Sequence, residues 1–84
     1  MPTVIVQTIR GILSDARKAK LLDRIVDVLV EVEGQGDPEF RRTCSVRIEE
    51  EDPSHIVLGG VKYSAEQIAR RFPDAAPGRA TVDA

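Results

Sequence analysis

The sequence has little sulfur and little imidazole: one cysteine, Cys44, and one histidine, His55, in 84 residues. A single thiol cannot close an internal disulfide. One histidine beside one cysteine cannot assemble a Cys/His metal site, so no metal and no cofactor is expected. Long apolar runs are also missing. Every hydrophobic stretch is short and flanked by charge, which argues against a transmembrane helix and a signal peptide, and hence against a membrane partner. Nor is there an excess of positive charge. Twelve basic residues face fourteen acidic ones, a formal net charge of −2. Without a basic face to neutralise phosphates, nucleic acid is not an expected partner. A lone reduced thiol and no targeting segment fit a cytoplasmic protein.

Length is scarce too. At 84 residues the chain is one small domain, and a domain this short hides a modest fraction of its surface. With no disulfide or metal to brace it, assembly with other copies is the remaining source of burial.

The elements that are present read in order. TVIVQTI, from Thr3 to Ile9, is β-branched and ends near Gly11, as a strand would. Ser14 stands at a helix N-cap with Asp15 behind it, and the helix should run from Asp15 to about Val32. Leu21, Leu22, Ile25, Val28, Leu29 and Val32 recur at three- and four-residue spacing and form its apolar face. Arg17, Lys20, Arg24, Asp27 and Glu31 take much of the other side. Val26 and Val30 fall off the stripe, as ordinary surface residues or as residues covered by a second subunit.

GQGDP, residues 34–38, should end the helix, with glycine at the C′ position and proline beyond. RRTCSVRIEEE then alternates. Cys44, Val46 and Ile48 point one way, and Thr43, Ser45, Arg47 and Glu49 the other, as in a half-buried strand. DPSH reads as a turn, IVL as a short extended piece, and Gly59-Gly60 as a second turn. Ser64 and Gln67 form a capping box with Tyr63 and Ile68 at staple positions, giving a short helix to about Phe72. Residues 1–72 are therefore expected to be the folded domain, and 73–84, with Pro73 and Pro77, a flexible tail. Two strands joined by a long helix should be parallel with a right-handed crossover. Such a pair leaves one face and both edges open, which again predicts self-association.

Several features together give the chain a resemblance to the tautomerase superfamily, specifically its short 4-oxalocrotonate tautomerase-like members. They are Met1-Pro2 before a β-branched strand, Gly11, the Ser14-Asp15-x-x-Lys18 motif, the helix beginning KAKLLDRIVDVL, the V-R-I-E-E strand end and Gly59-Gly60. The match spans roughly Pro2 to Gly60. It implies an α+β fold: a β-α-β protomer with parallel strands, a small hairpin and a short C-terminal helix. It also implies a homo-oligomer, a hexamer built as a trimer of dimers, with smaller assemblies or a heteromer open.

In that family the initiator methionine is removed and the exposed proline amine is the catalytic group. An α-amino group titrates near pH 8, and enclosure in an apolar pocket or a nearby cation lowers it further. Pro2 is thus the expected base. It would move a proton between carbons of an unsaturated 2-hydroxy or 2-oxo acid while arginines clamp the substrate carboxylate. A protonated Pro2 would instead serve dehalogenase or decarboxylase chemistry. A non-catalytic subunit that keeps only the fold is the third reading.

The pattern departs from the family at several positions. Ile12 and Leu13 stand where the family has an arginine after the glycine, and Arg10 is the nearby substitute or else a solvated strand-end residue. Ser45 falls at the family's second arginine, which leaves Arg41, Arg42 or Arg47 to engage the substrate. Their alternatives are solvation for Arg41 and Arg42, and a cross-strand ion pair for Arg47. Ile56 takes the place of an aromatic pocket wall, and His55 beside it is a proton carrier or a polar rim residue. Cys44 reads as core packing.

Overall fold

The computed structural model describes residues 1–75. Strand β1, Thr3–Ile9, is followed by helix α1, Asp15–Val32, then strand β2, Ser45–Glu51, and helix α2, Ala65–Arg71. Short 3-10 turns occupy Pro38–Thr43, Pro53–His55 and Pro73–Ala75. β1 and β2 pair in parallel, with Thr3 opposite Ser45 and Ile9 opposite Glu51. This is the expected β-α-β plan.

Both helices begin where their capping residues stand. The Ser14 hydroxyl accepts the Arg17 N–H at 3.2 Å and is itself buried, so an otherwise orphaned amide at the start of α1 is satisfied. At α2 the box is complete. Ser64 Oγ accepts the Gln67 N–H at 3.1 Å, and the Gln67 side chain accepts the Ser64 N–H at 2.8 Å.

α1 covers one face of the two strands. Val4 and Val6 of β1 and Val46 and Ile48 of β2 are half-buried there, while Thr3, Ile5, Ser45 and Arg47 face outward. Glu50 also points to the covered side, and Lys18 of α1 answers it at 2.7 Å. The pair is only partly exposed on both sides, so losing either partner would strand a half-desolvated charge.

Three details differ from the sequence expectation. The covered stripe of α1 includes Val26 and Val30, while Val28 and Val32 are exposed. The apolar arc is wider than two strands. The Pro38–Thr43 turn closes on Val30's side, with Phe40 against Gly34 and Arg41 on Asp27. At the end of α1 the left-handed residues are Gln35 and Gly36, not Gly34. Gly34 is small for another reason: a Cβ there would lie 2.6 Å from Phe40 Cγ. Finally, Arg41, Arg42 and Thr43 are not strand. Asp37 accepts the Glu39 N–H at 3.0 Å and Pro38 opens a 3-10 turn, so β2 begins only at Ser45.

After β2 the chain turns at Pro53–His55 and makes a minimal hairpin, Leu58 bridging Val61 across Gly59-Gly60. Both glycines have positive φ, 58° and 79°, as a two-residue primed turn requires. α2 then folds back onto the β1–α1 connection, where its Ile68 is buried over Gly11. Pro73–Ala75 extend this docking through Arg17 and Asp74, 2.6 Å apart. The rest of the expected tail, 76–84, lies outside the described residues.

The core is thin. Among the described residues only Ile9 and Ile68 are buried hydrophobic side chains, and α1 buries none of its eighteen residues fully. Ile5, Val28, Val32, Val57, Leu58 and Val61 are all exposed, Val32 at 71%.

Candidate functional site

Pro2 heads β1. Its carbonyl accepts the Ser45 N–H at 3.0 Å, the first rung between the strands, and its own missing N–H falls before the ladder begins. Pro2 is half-buried, whereas Met1 is 95% exposed. While Met1 is attached, the Pro2 nitrogen is an amide with a delocalised lone pair and is not basic. Removing that residue converts it to a secondary amine at the amino end of the sheet.

Parallel strands start at the same end, so the turn leading into β2 lies at Pro2's end. That turn carries Arg41 and Arg42, and the Arg41 carbonyl accepts the Cys44 N–H at 3.3 Å. Their guanidinium groups are already paired. Arg41 donates to Asp27, a hydrogen bond that raises its pKa above the ordinary arginine value. Arg42 sits 3.3 Å from Glu39. Cys44 is half-buried with Sγ 3.5 Å from the Phe40 carbonyl, a packing position.

Arg10 and Ile56 are at the other end. Arg10 follows β1, donates its N–H to the Glu51 carbonyl at 2.8 Å, and reaches Asp52 at 3.5 Å. Eight residue-to-residue steps of extended chain separate it from Pro2, roughly 26 Å at the rise of a strand. A single protomer therefore does not bring the two together. Arg47 lies between them on the outward face, opposite Ile5 and 3.4 Å from Glu49. Ile56 lines a cleft of about 480 Å³ with Ile9, Ile12 and Leu58, bordered by Glu49, Glu50 and Glu51. His55 is exposed on its turn, 3.5 Å from Glu51, as a rim residue would be.

One charged group near this end has a displaced titration. The Ser54 N–H and hydroxyl both donate to Asp52 Oδ1, at 2.9 and 2.8 Å, and hold its carboxyl below the ordinary range. His55 and Arg10 add to the effect.

The sequence reading missed a second groove, of about 460 Å³, between α2 and the end of β1. Tyr63, Gln67, Arg71 and Phe72 border it together with Ile9, Ile12 and Leu58. The signal was available: Ile68, Arg71 and Phe72 are spaced three and four apart on one helix face. Among the described residues, no group of His, Cys, Asp and Glu could hold a metal ion. No described helix is long and apolar enough to cross a membrane.

The fold has a solved counterpart. The crystal structure of YwhB, a homologue of 4-oxalocrotonate tautomerase, superposes with a TM-score of 0.59 over 73% of this chain and 92% of the other, at 24% identity. The two proteins share a fold. No family model matches the chain, and no curated protein does. The shared fold is the β-α-β layout of two parallel strands and the long helix between them.

Proposed function

We propose that the chain is an isomerase, a keto–enol tautomerase of unsaturated 2-hydroxy or 2-oxo acids, whose base is the amine of Pro2 once Met1 is removed. The observation that carries this reading is Pro2 itself. A fold shared with a tautomerase homologue presents a half-buried proline at the head of β1, next to an exposed Met1. As a secondary amine it would take a proton next to the substrate carbonyl and return it to another carbon. No metal or cofactor enters this chemistry.

The substrate carboxylate would meet Arg41 or Arg42 at Pro2's end, or Arg47 on the outward face. Their present carboxylate partners are solvent-exposed, and exposed ion pairs are weak, so a substrate could displace them. Arg10 would come from a neighbouring copy, because Pro2 and Arg10 occupy opposite ends of one strand. Assembly is therefore part of the proposal: a homo-oligomer, as a hexamer of three dimers, closing over the exposed Ile5, Val28 and Val32. A non-catalytic module is the second reading. It is favoured by the fact that Arg10, Arg41, Arg42 and Arg47 each already have a carboxylate partner.

Intact mass combined with phenylenolpyruvate ketonisation tests both. Loss of Met1, turnover, and a fall of about 10²–10⁴ on Pro2→Ala are expected for a general base. A retained Met1 with no turnover sinks the catalytic reading. Turnover of a 3-haloacrylate in place of the enolpyruvate would assign dehalogenase chemistry with Pro2 as general acid.

A further inference from the structure

We propose that Arg71, carried by α2, anchors the carboxylate of a small monocarboxylic acid in the groove between α2 and the end of β1. It would stand in for the arginine missing after Gly11. What happens to the bound acid rests on the tautomerase reading above; its binding does not.

Two clefts share Ile9, Ile12 and Leu58 as walls. Their charge is opposite. Among the described residues, one is bordered by Glu49, Glu50 and Glu51 and has no cation in its lining. The other has, among the described residues, Arg71 and no carboxylate. Coulomb's law therefore directs an anion to the α2 groove and away from its neighbour. Arg10, at the same end of the sheet, lines neither cleft and faces Asp52.

Arg71 also differs from the other arginines near these sites. Arg10, Arg17, Arg41, Arg42 and Arg47 each sit within ion-pair distance of an Asp or Glu. Among the described residues none pairs with Arg71. Its planar fork of donors remains available for a bidentate carboxylate contact. The helix that carries it is fixed at both ends. The capping box starts it, Ile68 buries its middle against Gly11, and Arg17 holds Asp74 just beyond it. Ile9, Ile12, Leu58 and Phe72 offer apolar walls for the body of the acid, with the Tyr63 ring and the Gln67 amide at the border. At about 460 Å³ the groove falls in the size range of small-molecule sites.

The test is titration of the full-length protein with cinnamate, a planar monocarboxylate, and with cinnamamide, its neutral counterpart, followed by calorimetry and amide chemical shifts. Cinnamate should bind with shifts at Tyr63, Gln67 and Arg71, more weakly as salt rises, and at least about ten-fold more tightly than the amide. Arg71→Ala should raise the cinnamate Kd about ten-fold and the enolpyruvate KM in parallel, with kcat little changed. Arg71→Lys should recover part of the affinity. The same titration on Pro2→Ala should give the wild-type Kd, so loss of catalysis there is distinct from loss of binding. Equal Kd values for wild type and a folded Arg71→Ala protein would overturn the proposal. So would shifts confined to the Glu49–Glu51 cleft, or Tyr63 and Arg71 signals that respond to protein dilution but not to cinnamate, the mark of a second copy in the groove.

Discussion

Replacing Gly11 by alanine would test how the C-terminal helix is held over the candidate site. Gly11 has φ +101°, a conformation that side-chain-bearing residues rarely adopt, and its added Cβ would lie 3.1 Å from Ile68 Cγ2. The backbone part should cost on the order of 1–3 kcal/mol, reduced by about 0.4–1 kcal/mol from the stiffer unfolded chain. Gly36→Ala supplies the control: φ is +83° and nothing lies within 4 Å of the added methyl. Urea unfolding at a fixed protein concentration should therefore show Gly11→Ala as the more destabilised of the two, with m unchanged. Their difference is the crowding of Ile68. In an Ile68→Ala background, where Cγ2 is gone, the penalty of Gly11→Ala should shrink by about 0.5 kcal/mol or more. Equal destabilisation of the two glycine variants, together with no coupling to Ile68, would refute the claim that α2 is docked by this contact.

Other outcomes follow from the same geometry. Ser64→Ala should cost about 1 kcal/mol and fray the seven-residue α2, read as faster amide exchange at Ala65–Gln67. Asp74→Asn should weaken the Arg17 tether by no more than about 1 kcal/mol, since both groups are partly solvated, and should raise exchange in α2 but not in α1. Asp52, held below its ordinary pKa, contributes stability above its unfolded pKa and loses it as pH falls through the depressed folded value. Ser54→Ala keeps the N–H donor and removes the hydroxyl, so a carboxyl NMR titration should show a partial return upward. Val28→Glu, on the uncovered flank of α1, should leave the monomer fold intact. It should remove any concentration dependence of the thermal midpoint and shift gel-filtration elution to the protomer.

The fold was largely legible because its local signals are redundant. Ser14, Asp15 and the apolar spacing all specify α1, and the capping box specifies α2 before any packing is considered. The start of β2 was less legible, and the reason is instructive. The same Asp-Pro signal occurs at Asp37-Pro38 and Asp52-Pro53, and in both the aspartate accepts the N–H two residues on. The second reads plainly as a turn. At the first, the alternation of Arg41 to Cys44 mimicked a strand, and the turn chemistry prevailed because Pro38 fixes its φ and offers no N–H to a ladder. The rotation of α1 was hidden for a different reason. Spacing locates an apolar arc, but the width of the partner sheet decides which part of it is covered, and a two-stranded sheet is narrow.

The residues of the candidate site could be named from the sequence, but their arrangement could not. Pro2 announces itself from the second position of the chain, and its place at the head of β1 follows from the strand. The arginines do not announce themselves, because spacing alone does not say which end of the sheet each one reaches. Ile12-Leu13 replace the expected cation with apolar side chains, and they line the grooves that Arg71 lines, Ile12 both of them and Leu13 one. A charged side chain after Gly11 would be desolvated beneath Ile68 and Phe72, whereas an apolar one gives the helix a surface to bury. Reversing the exchange tests this coupling. Ile12→Arg should cost about 1–3 kcal/mol and raise amide exchange across Ala65–Arg71, since it places a charge under the helix. If α2 stays as protected as in the wild type while the variant gains turnover, the arginine position and the helix are independent, and the apolar residues after Gly11 are not the seat on which Arg71 depends.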